Sequence, residues 1–149
     1  MCIRDSNKIT NTTGRALLGS SGLSVQYGIL MGLVHEAKDS HPQKKIKIIV
    51  PPNCYGGTND QARRLASCYK NVEILDLPVD AGQDMVQSLE IVLDRTAKED
   101  AIPYIIAEIP TNPRVEVPDL AKLEETLVKP RNIDPVSYTH LTLPTTPYV

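Results

Sequence analysis

Tryptophan and phenylalanine are both absent from the 149 residues, and six tyrosines supply the whole aromatic content of 4%. Large aromatic side chains normally fill much of an enzyme core, so their scarcity favours a piece of a larger domain. The three cysteines, Cys2, Cys54 and Cys68, are too few and too scattered for a disulfide framework or a zinc cluster. This cysteine usage predicts a reduced, cytoplasmic protein. No apolar run approaches the roughly 18 residues that a membrane span needs.

The charges are nearly balanced, since 16 lysines and arginines against 18 aspartates and glutamates give a net charge of -2. Binding to nucleic acid or to an anionic membrane requires a concentrated positive patch, so we expect neither as a partner. Hydrophobic residues make up 41% of the chain and charged residues 23%, which is typical of a globular domain. The length suffices for one domain with its own core.

The two ends of the chain differ in character from the middle. Residues 1–6 and 135–149 show no periodic pattern, and the tail is rich in threonine and proline. We interpret both as non-native sequence that resembles translated sequencing-adapter read-through, with a disordered extension as the alternative. The predicted domain therefore comprises residues 7–134, and Cys2 and His140 are not candidate site residues.

The middle of the chain alternates helix patterns with strand patterns. Helices are predicted over 22–39, 58–69, 83–98 and 118–127, and strands over 45–50, 72–77 and 102–108. Thr58 or Asn59 is the predicted cap of the second helix, and Pro118 is predicted in the first turn of the fourth. Strands separated by helices predict an α/β fold with a parallel sheet, and the nearly all-apolar third strand is typical of burial on both faces. Ligands of such sheets bind at the carboxyl ends of the strands, which here are followed by residues 51–58, 78–83 and 109–117.

The segment Ser21-Gly22-Leu23 opens the first predicted helix. Unpaired N–H groups and the positive end of the helix dipole at such a position suit a phosphate. Gly22 would let the backbone approach that group closely. A capped helix without a ligand is the alternative interpretation.

Two further segments follow the first and third strands. In Tyr55-Gly56-Gly57-Thr58, a tyrosine before two glycines can lie against a flat ligand while the glycines turn the chain away; a packing tyrosine is the alternative. In Glu108-Ile109-Pro110-Thr111-Asn112-Pro113, Pro113 disfavours a helical conformation at Asn112. The Asn112 amide could then donate to a ligand oxygen; a rigid proline turn is the alternative, and Glu108 is either a paired buried acid or a surface charge.

Other reactive side chains carry less information. His35 and His41 lie in or just beyond a predicted helix end, and no spacing indicates a metal site. Cys54 has no histidine near it in the sequence, so we interpret it as a bystander thiol rather than a nucleophile.

Taken together and in this order, the three segments resemble the pyridoxal 5′-phosphate (PLP) enzymes of cysteine and methionine metabolism, such as cystathionine γ-synthase, the cystathionine lyases and methionine γ-lyase. The resemblance covers about residues 10–127, and its clearest motifs are Tyr55-Gly56-Gly57-Thr58 and Pro110-Thr111-Asn112-Pro113. It implies the large domain of a fold-type I enzyme, a three-layer α/β fold similar to aspartate aminotransferase, assembled as a homodimer or homotetramer. It also implies a transferase or lyase of trans-sulfuration that acts on sulfur amino acids or O-acylhomoserine by γ-replacement or elimination.

The resemblance further implies roles for individual residues. Ser21-Gly22-Leu23 matches the turn whose backbone amides bind the cofactor phosphate, with Leu23 in place of the family's methionine. Tyr55 matches the catalytic tyrosine that stacks on the pyridine ring and assists proton transfer. Glu108 matches an acid near the ring, and Asn112 matches the asparagine that hydrogen-bonds the phenolic oxygen of PLP.

Three parts of the family pattern are missing from this chain. The Schiff-base lysine in a Ser-x-Thr-Lys-type stretch and the aspartate that pairs with the pyridinium nitrogen come after the Thr-Asn-Pro motif in the family, and a Tyr-x-Arg segment comes before the first helix. The sequence therefore predicts a fragment that is inactive alone. A Rossmann-like nucleotide-binding fragment is one alternative, although Gly19-Ser20-Ser21-Gly22 lacks the G-x-G-x-x-G spacing. A non-catalytic α/β interaction module is the other.

Overall fold

A computed structural model describes residues 19–79, 84–109 and 117–131, and the backbone of residues 139–142. The described part contains helices and strands in alternation. Their bounds in chain order are α1 (Gly22–Ser40), β1 (Ile46–Val50), α2 (Gly56–Cys68), β2 (Val72–Asp76), α3 (Met85–Lys98), β3 (Ile102–Glu108), α4 (Leu120–Val128) and β4 (Thr139–Thr142).

The strands form one parallel sheet in the order β2-β1-β3-β4. In the register of the central strand, Ile46 lies opposite Val72 on one side and Ile102 on the other. The predicted parallel α/β architecture is therefore confirmed. Strand β4 falls in the tail interpreted above as non-native or disordered, and its backbone pairs with β3; the origin of that tail stays a prediction.

The sheet has a hydrophobic cluster on each face. One contains Ile46, Ile48 and Val50 of β1 together with residues of α1 and α2. The other contains Ile49 of β1 together with residues of α3 and α4. Successive side chains of a strand point to opposite faces, so β1 contributes to both clusters and is buried throughout. Two helices therefore cover each face of the sheet, in three layers.

Three predicted helix starts are wrong. Helix α3 begins at Met85 with Asp84 as its N-cap, two residues later than predicted. Helix α2 begins at Gly56, not after a cap at Thr58 or Asn59, because the Tyr55 carbonyl accepts from the N–H groups of both residues at 2.9 and 3.2 Å. Helix α4 begins at Leu120 with Asp119 as its N-cap. Pro118 thus precedes the N-cap and lies outside the first turn of the helix.

One charged side chain lies inside the sheet layer. Lys47 of β1 is 3% exposed, and its ammonium is 2.5 Å from Glu73 of β2 and 2.8 Å from Glu99 at the end of α3. Burial by itself lowers the pKa of Lys47, but hydrogen bonds to the two carboxylates outweigh burial and raise the pKa above its ordinary value. The lysine therefore stays charged and ties the sheet to α3.

Within the described ranges, no helix is both long enough and apolar enough to cross a membrane.

Candidate functional site

The carboxyl ends of β1 and β3 and the amino end of α1 converge on one region of the molecule. Because β1 and β3 are parallel neighbours, the segments that follow them leave the sheet at the same end. Tyr55 follows β1, Glu108 ends β3, and Leu23 of α1 reaches the same place through a contact with α2 described below. The candidate site is defined here as Ser21–Leu23, Tyr55–Gly57 and Glu108.

The amino end of α1 is closed by a reciprocal serine cap. The Ser21 hydroxyl accepts from the Ser24 N–H at 3.1 Å, and the Ser24 hydroxyl oxygen accepts from the Ser21 N–H at 3.0 Å. This cap uses two of the N–H groups that every helix leaves unpaired at its start. The N–H groups of Gly22 and Leu23 make no hydrogen bond with any residue in the described ranges, and both residues are exposed. Among the described residues, nothing therefore competes with an external anion for these two adjacent donors.

The other helices have a carboxylate at the amino end. Asp84 caps α3 and Asp119 caps α4, while Glu108 lies at the start of α2 through its bond to Tyr55. Helix α1 instead has the neutral Ser21 as its cap and no acid in its first turn. A carboxylate at a helix start offsets the positive end of the dipole, so α1 is the described helix whose amino end lacks an internal anion.

Tyr55 presents its ring at the surface beside α1. The Tyr55 residue is 52% exposed. A side-chain carbon added to Gly57 would lie 2.6 Å from Cε1 of the Tyr55 ring and 3.2 Å from a methyl carbon of Leu23. The side chains of Tyr55 and Leu23 therefore lie so close to Gly57 that only a glycine fits at this position without displacing them. The tyrosine and the amino end of α1 therefore both lie next to Gly57.

Glu108 contacts the backbone of the tyrosine. Its Oε2 accepts a hydrogen bond from the Tyr55 N–H at 2.9 Å. The residue is half-buried at the last position of β3. The bond ties the loop after β1 to the end of the neighbouring strand, so the position of Tyr55 is defined by two strands.

Two polar contacts between α1 and α2 support this arrangement, and no local sequence pattern predicts them. The Gln61 side chain donates to the Leu23 carbonyl at 3.0 Å, and the Thr58 hydroxyl donates to Gln26 Oε1 at 3.2 Å. Thr58 and Gln61 are three residues apart, as are Leu23 and Gln26, and residues at that spacing share a helix face. The spacing was visible in the sequence, but it does not reveal which helix the face meets.

The neighbouring thiol is not activated. Burial, and to a smaller extent the charge of Glu108, raises the pKa of Cys54 to about 11. A thiolate is the nucleophilic form, so Cys54 is neutral near pH 7. This agrees with its interpretation as a bystander.

The structure brings together most of the predicted site residues. Ser21, Gly22 and Leu23, Tyr55 and Glu108 all lie in the candidate site. Asn112 and the remainder of the Pro110–Pro113 motif lie outside the described residues, so their predicted role stays a prediction. In the described ranges, no group of three or more His, Cys, Asp or Glu side chains could hold a metal ion.

Comparison with known proteins adds no family assignment, because no model of a known protein family matches the chain and no curated protein matches it with significant similarity.

The geometry is compatible with a ligand that has a phosphate at one end and a flat ring at the other. The two N–H donors of α1 suit the phosphate, and a carbon added to Gly22 would meet no atom of the described residues within 4 Å. The exposed Tyr55 ring offers a stacking surface close by. PLP carries both a phosphate and a flat ring, so the described residues are chemically compatible with these two groups.

Proposed function

We propose that the chain is part of the large domain of a PLP enzyme of cysteine and methionine metabolism, and that the candidate site binds the phosphate and ring of this cofactor. The observation that carries the proposal is the approach of the open amino end of α1 to the Tyr55 ring across Gly57. Two of the segments that resemble the family, the start of α1 and the Tyr55–Thr58 segment, lie next to each other at Gly57, and Glu108 of the third bonds to Tyr55. In the whole enzyme, the substrate would be an amino acid and the assembly a cytoplasmic homodimer or homotetramer.

Each residue has a separate task in this proposal. The Gly22 and Leu23 amides bind the phosphate, and the Ser21–Ser24 cap holds these amides in position. Tyr55 supports one face of the ring. Bound PLP supplies an electron sink for reactions at the α-carbon of an amino acid. The lysine that the family uses for this chemistry is not present in a matching sequence context, so binding rather than turnover is the property to test.

Gly22→Pro tests the phosphate contact directly. Gly22 is the first residue of α1, where proline is well tolerated because its missing N–H has no partner within the helix. The preceding Ser21 is extended, with φ -156° and ψ 163°, which is the conformation that proline favours in its predecessor. The variant therefore removes one phosphate donor and preserves the helix. Gly22→Ala keeps the donor and is the matched control.

The ligand for this test is pyridoxamine 5′-phosphate, whose amine does not condense with surface lysines, compared with pyridoxamine, which has no phosphate. We expect the native chain to prefer the phosphorylated compound in equilibrium dialysis. Gly22→Pro should weaken its binding at least about tenfold, since a hydrogen bond to a charged group contributes about 1.5–3 kcal/mol. Gly22→Ala should bind more tightly than Gly22→Pro. Equal binding of the two compounds would refute the proposal, and competition by an adenine dinucleotide would favour the nucleotide-binding alternative.

A further inference from the structure

The position of Tyr55 depends on its backbone rather than on its side chain. Its hydroxyphenyl group makes no capping hydrogen bond to α2. Its carbonyl accepts from the N–H groups of Thr58 and Asn59, and its own N–H donates to Glu108 at 2.9 Å. The carbonyl contacts belong to the first turn of α2. Among the described residues outside α2 and the loop before it, Glu108 is thus the one that hydrogen-bonds to the Tyr55 backbone, and this bond fixes the position of the peptide before the ring.

The carboxylate of Glu108 is well suited to this task. It lies at the amino end of α2, where the helix dipole favours a negative charge. A hydrogen bond from a backbone N–H to a carboxylate is stronger than one between neutral groups. Glu108 directly follows the fully buried residues of β3, so its backbone is held by the core. A rigid strand end therefore determines the placement of an exposed ring.

We propose that Glu108 is a positioning residue that acts on ligand binding through Tyr55: it fixes the Tyr55 backbone so that the ring lies over Gly57 beside α1, and it does not contact the ligand. This inference rests on the proposed function, and it differs from the direct contact with the cofactor that the family resemblance implies. Glu108 and Tyr55 form one unit, whereas the amides of Gly22 and Leu23 form another.

Two substitutions of Glu108 separate positioning from direct contact. Glu108→Gln keeps an oxygen that can accept from the Tyr55 N–H but has no charge. Glu108→Ala removes the acceptor. A positioning role requires the acceptor, so Glu108→Gln should bind pyridoxamine 5′-phosphate within about twofold of the native chain. Glu108→Ala should lose about as much affinity as Tyr55→Ala, between about twofold and tenfold for the loss of one aromatic contact.

A double-variant comparison then tests whether the two residues act as a unit. If Glu108 acts through Tyr55, the combined Glu108→Ala and Tyr55→Ala variant should bind no more weakly than Tyr55→Ala alone. Inorganic phosphate, which contacts only the amino end of α1, should bind equally to all of these variants. Amide hydrogen exchange should show protection of the Tyr55 N–H in the native chain and in Glu108→Gln, and loss of protection in Glu108→Ala.

The outcomes distinguish this inference from the proposed function. If the native chain does not bind pyridoxamine 5′-phosphate, the proposed function fails and the inference fails with it. If the native chain binds and Glu108→Gln loses tenfold or more, Glu108 contacts the ligand directly and the inference alone is overturned. Additive losses in the double variant would overturn it as well. Glu108→Gln has nearly the native shape, so its binding, together with protection of its Tyr55 N–H from exchange, tests the inference even if Glu108→Ala does not fold.

Discussion

Removal of both acidic partners of Lys47 is expected to destabilise the protein far more than removal of either one. The lysine is 3% exposed, whereas Glu73 and Glu99 are 38% and 37% exposed. Water can therefore solvate the carboxylates without the lysine, but the buried ammonium depends on the carboxylates. Each of the variants Glu73→Gln and Glu99→Gln leaves one charged partner in place, so each should lower the free energy of unfolding much less than the double variant does.

The double variant leaves the Lys47 ammonium buried without a counter-charge, and a buried charge that loses its partner costs about 3–5 kcal/mol. This cost has an upper limit, because Lys47 can lose its proton instead of staying buried as an unpaired charge. Neutralising a lysine takes roughly 5 kcal/mol at pH 7 and roughly 2 kcal/mol at pH 9, as follows from its ordinary pKa and 1.36 kcal/mol per pH unit. The destabilisation by the double variant should therefore be clearly smaller at pH 9 than at pH 7.

Urea unfolding followed by circular dichroism measures these free energies. Lys47→Met is the matched control, because it keeps an unbranched apolar side chain and removes the buried charge. Replacement of a buried ion by an apolar residue is often neutral or stabilising, so this variant should be much more stable than the double variant. If the double variant costs no more than the two single variants added together, or if Lys47→Met is equally damaging, the explanation from an unpaired buried charge is wrong.

Acid should weaken the same cluster. Hydrogen bonds from Lys45 and Lys47 lower the pKa of Glu73 from 4.5 to about 2. Because the pKa is lower in the folded state than in the unfolded state, the stabilisation is complete above about pH 4.5 and is lost as the pH falls toward 2. The difference in unfolding free energy between the native chain and Glu73→Gln should shrink over this range. A difference that stays constant from pH 6 to pH 2 would contradict the assignment.

Two further pairs of variants test the core and the contact over Gly57. Leu89→Ala, at a fully buried position of α3, should lower the free energy of unfolding by about 2–5 kcal/mol in urea. Ile91→Ala, on the exposed side of the same helix, should stay within about 0.5 kcal/mol of the native chain. Equal losses would be inconsistent with the described core. Gly57→Ala should displace the Tyr55 ring and abolish its nuclear Overhauser contacts to Leu23. Gly56→Ala meets no atom within 4 Å and should preserve these contacts, so their survival in Gly57→Ala would disprove the packing described here.

Most of the secondary structure followed from local patterns. The apolar, β-prone run of the third strand predicts the bounds Ile102–Glu108 that the structure has. Such a run needs no tertiary information to be identified. Helix starts were less predictable. Thr58 and Asn59 are ordinary capping residues, but the chain begins α2 earlier, and Thr58 instead bonds to Gln26 across the helix interface. The tertiary contact of Thr58 with Gln26 thus prevails over the local preference of Thr58 for a cap position.

The sequence by itself determined the alternation of strands and helices, the burial of the third strand, and the candidates Ser21–Leu23, Tyr55 and Glu108, because each of these depends on residues that are neighbours along the chain. Only the tertiary structure decided that the amino end of α1 meets the tyrosine over Gly57, that Glu108 bonds to the tyrosine backbone, and that Lys47 is buried between two acids. The residues of each contact come from different elements, and the order of strands in the sheet, which brings them together, is a property of packing that no local pattern contains.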